Sequence, residues 1–289
     1  MEKNLNQLKE HIRAVEETRQ ITNAMYLLSA SRMKKLRQHV DYNREYFNRI
    51  RSAVKDILSR SPSLEYEYLT QRPVRRAAYL VIAGDKGMAG AYNHNVLNLA
   101  SRIIDRQPVR PYIATIGILA TEYFTRRGQK PDHAFPGMAQ NPSLGNARQV
   151  KDTLVALYDS GEVDQVNLIY TRFLNASSQY PRQVRLLPLS IRDYQNVTVE
   201  YDYDLDMIYH PSPERVFYEL APQYAVGLLF GAMAQSYASE QSARMNAMQN
   251  ATKNADELIA KLRHAYHGAR QLRITQELTE TVAAGLLRQ

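Results

Sequence analysis

No cysteine occurs among the 289 residues, which removes disulfides, thiol catalysis, thiolate metal sites and any thiol switch. No run of 18 or more apolar residues exists either, so no helix of this chain is expected to cross a bilayer. The seven histidines show no HExxH or comparable spacing, and no metal site is expected. The first residues carry Glu2, Glu10, Glu16 and Glu17 and lack an apolar core segment, unlike a secretory signal or an acid-poor transit peptide. A bacterial chain that stays on the cytosolic side is the expectation. Glycine and proline, 12 of each, are absent from residues 1–61 and again from 232–267, and all of them crowd into the remainder.

With 44% hydrophobic and 23% charged residues, the composition is that of a folded protein and excludes general disorder. The formal net charge of +8 is less ordinary and implies an acidic partner: nucleic acid, an anionic membrane surface or an acidic protein. Charge alone does not choose among them.

The two stretches without glycine or proline read as very long helices at opposite ends of the chain. At about 1.5 Å per residue the first alone would span roughly 90 Å. With Leu5 at a and Leu8 at d, a heptad runs unbroken through Ile12, Val15, Tyr26, Met33, Leu36, Val40, Phe47, Ile50, Val54 and Ile57, interrupted by polar Arg19, Thr22, Ser29 and Asn43. At the other end Pro211 precedes Ser212, an N-cap candidate, with Pro213 and Glu214 in the first turn. Pro222 is expected to kink this helix or to split off a short first piece. Its stripe runs from Phe217 through Gly227, Gly231, Ala234, Ala238, Gln241, Met248, Thr252 and Ile259 to Ala269. The small residues from 227 to 238 let another backbone approach, with Phe47, Ile50 and Val54 of the first helix as candidates. The expected pairing is a coiled coil of the two ends. Between Arg13 and Arg60 eleven Lys or Arg stand against five Asp or Glu, including Arg32, Lys34, Lys35 and Arg37. A solvated face explains such a run, and so does a coil inside an acidic sleeve.

In between, strand and helix patterns alternate. Strands are expected at Ala77–Ala83, Pro111–Ile116, Asp132–Phe135, Gln165–Arg172 and Gln183–Ile191, and helices at Tyr92–Arg106, Leu119–Arg127 and Leu144–Ser160. This predicts an α/β domain with a mostly parallel sheet. The expected division is therefore 1–61 and 212–287 for the coil, 75–192 for the α/β domain and 193–211 for an acidic connection holding Asp193, Glu200, Asp202, Asp204 and Asp206 without Lys or Arg. The loop Gly84-Asp85-Lys86-Gly87-Met88-Ala89-Gly90 follows the first strand with GxxGxxG spacing, neither GxGxxG nor GxxxxGK[ST]. A tight strand-to-helix turn accounts for it better than a nucleotide site, because the second strand ends at Ile116 without an acidic residue to hold a ribose.

Three blocks resemble the gamma subunit of the F-type rotary ATP synthase. They are Arg19-Gln-Ile-Thr-Asn-Ala-Met25 with Ser29-Ala-Ser-Arg-Met33; Gly84-Asp-Lys-Gly-Met-Ala-Gly-Ala-Tyr-Asn93; and Ala238-Ser-Glu-Gln-Ser-Ala-Arg-Met245 with Asn250-Ala-Thr-Lys-Asn-Ala255 and Ala269-Arg-Gln-Leu-Arg-Ile-Thr-Gln-Glu-Leu-Thr-Glu280. The resemblance implies an antiparallel coil inside a ring of three alpha and three beta subunits, and a Rossmann-like foot beside the membrane c-ring, with an epsilon subunit as a further partner. It implies one copy per complex, torque transmission in ATP synthesis and proton or sodium transport, and no catalytic residue, cofactor or metal of the chain's own. By the same resemblance Met25, Arg244, Gln271, Thr275 and Glu277 would meet the beta subunits. Arg244 and Gln271 lie off the apolar stripe and are expected to point outward. Toward the c-ring, Asp202, Asp204, Asp206, Tyr209 and His210 are the expected contacts; His210 stands where the family commonly has Glu, and the nearby aspartates would supply the carboxylates. Two other readings stay open at this point: a nucleotide-binding α/β enzyme using the glycine loop, and a basic coiled-coil protein that binds nucleic acid.

Overall fold

The structure, a computed structural model, describes residues 2–60, 68–69, 72–176, 178–189 and 208–286. Helix α1 covers Glu2–Arg60, 59 residues without a helix breaker. Then follow β1 (Ala77–Ile82), α2 (Tyr92–Ile104), β2 (Tyr112–Ile116), α3 (Ile118–Arg126), β3 (His133–Phe135), α4 (Leu144–Asp159), β4 (Gln165–Phe173), β5 (Gln179–Leu187) and α5 (Pro213–Leu286). The chain forms two compact units, one of residues 31–243 and the other of 1–30 with 244–289.

In the first of these, the sheet order is β3-β2-β1-β4-β5. The first four strands are parallel and β5 runs antiparallel against β4. Strand β1 is buried along its whole length, as a central strand covered on both faces must be. Its side chains alternate between two cores. Tyr79 and Val81 pack with Val96, Leu97 and Ala100 of α2 and Phe124 of α3. Leu80 and Ile82 face Val150 and Leu154 of α4, Val54 and Ile57 of α1, and Phe217 and Leu229 of α5. The long helices thus supply part of one covering layer, and each fully buried Leu or Ile there contributes about 1.5–3 kcal/mol.

The sequence expectations hold for β1 to β4 and α2 to α4 within a residue or two at their ends. Strand β5 starts at Gln179, upstream of the expected Gln183, because Pro181 is tolerated on an edge strand where a central strand would exclude it. Ile191, the expected end of that strand, lies outside the described residues. Ser212 caps α5 as expected, its Oγ accepting from Arg215 N–H at 3.3 Å. Pro222 does not split the helix: α5 is one element of 74 residues. Phe217, Ala221, Ala225 and Leu229 are all buried around the proline, so core packing carries the helix across it.

The glycine loop braces the chain. Asp85 Oδ1 accepts from Ile118 N–H at 3.0 Å and its Oδ2 from Gln140 Nε2 at 3.1 Å, so this carboxylate sits at the start of α3. Gly84 N–H donates to Asn93 Oδ1 at 2.8 Å. A side chain on Gly84 would press within 3.0 Å of the Glu240 carboxyl carbon, and that carboxylate is unfavourable company for a phosphate. Gly117, at φ 100°, brings β2 into α3 so closely that a Cβ would lie 2.3 Å from Ala83 O.

Candidate functional surface

The smaller unit is made of the first half of α1 and of α5 from Arg244 onward. Three cross-helix pairs fix its direction: Glu16 with Arg263, Arg19 with Asp256, and Thr22 with Thr252. Numbers rise on one helix as they fall on the other, so the helices are antiparallel. Arg263 Nη2 donates to Glu16 Oε1 at 2.7 Å, and the two threonine hydroxyls meet at 2.8 Å. One hydroxyl donates to the other, and the one that accepts is free to donate within its own helix, Thr22 Oγ1 to Arg19 O at 3.0 Å or Thr252 Oγ1 to Met248 O at 2.9 Å. Leu5, Met248, Ala255 and Ile259 complete the seam.

The polar interruptions of the heptad thereby find their role. Thr22 and Ser29 are buried, and Arg19 and Thr22 join the helices to each other through Asp256 and Thr252. Exposed ion pairs of this kind contribute about 0–1 kcal/mol, so they set register more than stability. The side chain of Asn43, the fourth interruption, lies outside those described.

The outward faces carry a feature that the heptad did not disclose. Ile21, Leu27 and Leu28 on α1, and Leu272, Ile274 and Leu278 on α5, are large apolar side chains standing in solvent; Leu27 is 58% exposed and Leu272 67%. Large apolar side chains in solvent on both helices are candidates for contact with a partner. The signal was in the sequence: these positions are apolar although they lie off the a and d seam. Gln271, Thr275 and Glu277 belong to the same stretch and are exposed. Thr275 Oγ1 donates to Gln271 O at 3.0 Å, while Glu277 accepts from Arg273 Nε at 2.6 Å. Met25 is half-buried. Arg244 departs from expectation: it is only 6% exposed and does not point freely outward. It sits one turn from both Gln241 and Met248, at the margin of the stripe that packs.

In the larger unit, Tyr209 is half-buried, and its hydroxyl donates to Asp56 Oδ2 at 2.7 Å, tying the entry to α5 onto α1. His210 beside it is exposed, as is Ile208. Asp202, Asp204 and Asp206 lie outside the described residues. Among the described residues no helix is long and apolar enough to cross a membrane, and no group of three or more His, Asp and Glu could hold a metal ion. The resolved titration shifts sit elsewhere. Burial pushes the Tyr79, Tyr112 and Tyr170 hydroxyls up, and hydrogen bonds hold Asp105 below the usual carboxylate range.

Comparison with known proteins gives this arrangement a context. The ATP synthase family model matches residues 4–285. The ATP synthase gamma chain of Ruminiclostridium cellulolyticum is 36% identical over 287 residues, covering 98% of each chain. That of Caldanaerobacter subterraneus subsp. tengcongensis is 37% identical over 284 residues, 94% of this chain and 95% of the relative. The fold is similar to a chain in the Euglena gracilis mitochondrial ATP synthase (OSCP/F1/c-ring, rotational state 3), with a TM-score of 0.65, 17% identity, and 98% of this chain and 94% of that one covered. It is also similar to one in the Tetrahymena thermophila mitochondrial ATP synthase central stalk and c-ring, with a TM-score of 0.59, 24% identity, and 80% of this chain and 99% of that one covered. With a family model spanning nearly every residue and relatives more than one-third identical along almost their whole length, the chain belongs to the ATP synthase gamma-chain family.

Proposed function

We propose that the chain is the central rotor shaft of a proton- or sodium-driven ATP synthase. It couples rotation of a membrane c-ring to conformational change in the catalytic beta subunits and has no active site of its own. The observation that carries this reading is the antiparallel unit of residues 1–30 and 244–289, whose seam is closed by its own polar rungs while its outer faces keep Ile21, Leu27, Leu28, Leu272 and Leu278 in solvent. A surface of scattered leucines, and not one large apolar patch, can be gripped by a surrounding sleeve and still turn within it.

In this reading three alpha and three beta subunits form the sleeve around one copy of the chain. Met25, Gln271, Thr275 and Glu277 supply contacts to the beta subunits, and Arg244 supplies one through the small part of its side chain that remains accessible. The epsilon subunit and the c-ring bind the other unit, with Tyr209 and His210 beside the ring and Asp202, Asp204 and Asp206 as its carboxylates. The complex lies at the cytoplasmic face of a bacterial cell membrane, with this chain peripheral to it. The net charge of +8 suits an acidic sleeve.

Co-expression of a tagged chain with the alpha and beta subunits tests the assignment. One copy is expected to purify with three catalytic subunits, and ATP hydrolysis should be confined to the complex. A chain that purifies alone and hydrolyses ATP, or one that binds nucleic acid with a steep salt dependence, would favour the other readings.

A further inference from the structure

Strand β4 outlasts its neighbour. The pairing of β1 with β4 runs to Val81↔Ile169 and β1 ends at Ile82, whereas β4 continues to Phe173. Past Ile169 the β1 side of β4 has, among the described residues, no strand to bond with. Water cannot take its place at Thr171, which is 4% exposed, and a buried main-chain group without a partner is costly.

Helix α5 fills the gap with hydroxyls. Thr171 N–H donates to Ser236 Oγ at 3.4 Å, and Ser239 Oγ donates to Thr171 O at 3.4 Å. One turn further on, Ser242 Oγ donates to Ala176 O at 3.2 Å, in the connection from β4 to β5. The serines recur every three residues and share one helix face. All three are buried, Ser239 completely. A serine inside a helix ordinarily bonds back to its own preceding turn; Ser239 and Ser242 reach the sheet region instead. Apolar packing surrounds the junction, where Phe173 lies against Leu36, Ala234, Tyr237 and Ala238. Such packing resists separation and, where side chains interlock, sliding as well. Hydrogen bonds to fixed main-chain atoms add a directional restraint to it.

We propose that Ser236, Ser239 and Ser242 are positioning residues that latch the central sheet to the adjoining stretch of α5, so that sheet and helix move together there. Their hydroxyls stand in for the strand that β4 lacks and bear torque at the junction. This deepens the rotor reading and depends on it.

The test uses the assembled complex with Ser236→Ala and Ser239→Ala together, beside Ser239→Thr, which keeps a hydroxyl. Two quantities are read: amide exchange at Thr171 N–H, and ions pumped per ATP hydrolysed. The double variant should exchange about tenfold faster at Thr171, as for one lost hydrogen bond. It should also pump less per ATP at an unchanged hydrolysis rate, and Ser239→Thr, with Ser236 intact, should leave both quantities as in the unsubstituted complex. Unchanged exchange would overturn the latch, and faster exchange with an unchanged pumping ratio would overturn its torque-bearing role. If the double variant does not assemble, Ser236→Ala alone is put through the same two measurements. The rotor reading fails separately, if a complex assembled without this chain pumps as well as one that contains it.

Discussion

Phe47 lays its ring where Gly227 has no side chain: a Cβ at residue 227 would lie 2.4 Å from Phe47 Cδ1 and 2.7 Å from Cε1. The same ring stacks on Phe230 with centroids 6.0 Å apart. Helix α1 is thereby seated on the small-residue stretch of α5. Gly227→Ala would gain about 0.8–1 kcal/mol in helix propensity, but overpacking costs typically about 1–3 kcal/mol. The clash wins because Phe47 is held by Phe230, and the melting temperature of the variant should fall. A rise would mean that Phe47 moves aside freely.

Thr22 and Thr252 are expected to be coupled. When one hydroxyl is removed the other can still donate within its own helix, Thr22 to Arg19 O or Thr252 to Met248 O, so no buried group is left stranded. A double-mutant cycle with Thr22→Val and Thr252→Val should give a coupling of about 0.5–1.5 kcal/mol, the worth of an ordinary hydrogen bond. Zero coupling would place the two hydroxyls out of contact.

The exposed leucines should matter to partners and not to folding. Leu27→Gln and Leu278→Gln keep good helix formers at positions that stand in solvent, so helicity by circular dichroism should not change. Each leucine buried in a complex is worth about 1.5–3 kcal/mol, so affinity for the alpha–beta ring should drop about tenfold or more per site. Undiminished assembly would remove these faces from the interface.

Asp105 gives one acid-sensitive point. Its pKa is lowered, chiefly by the hydrogen bond from Gln129, with further help from Ser101 and the Arg127 guanidinium, against opposing desolvation. The 2.9 Å Arg127 pair and the 3.0 Å Gln129 bond tie the end of α2 to the end of α3. A depressed carboxylate stabilises the fold above its unfolded pKa of about 3.9, and that contribution is lost as pH falls through the lower folded value. The pair is partly exposed, so screening keeps the effect small. Asp105→Asn should flatten the acid limb of a stability–pH curve between about pH 4 and lower values; an unchanged limb would show that other groups control it.

Much of the fold was legible because its signals are local. Absent glycine and proline, an unbroken heptad and alternating apolar runs predict long terminal helices around a parallel sheet, and Phe47 opposite Gly227 follows from bulky and small residues on facing stripes. What escaped depends on the partner element. Arg19, Thr22 and Ser29 look like defects in a seam until Asp256 and Thr252 are placed opposite Arg19 and Thr22. Arg244 reads as an outward cation from its heptad position alone, whereas its burial depends on the neighbouring packing. Pro222 reads as a break because propensity is local, and the core around Phe217 and Leu229 overrides it. The role of the α5 serines was invisible for the same reason: serine spacing says nothing until a strand end lies beside it.

Rotation itself is the most direct measurement. The chain contains no cysteine, so Val109→Cys, at an exposed site between α2 and β2, offers a unique thiol on this subunit for a fluorescent or gold probe. In a surface-anchored complex supplied with ATP, the probe should turn stepwise in one direction and stop when ATP is withdrawn. A probe that stays fixed while the complex hydrolyses ATP would contradict the role of this chain as the shaft.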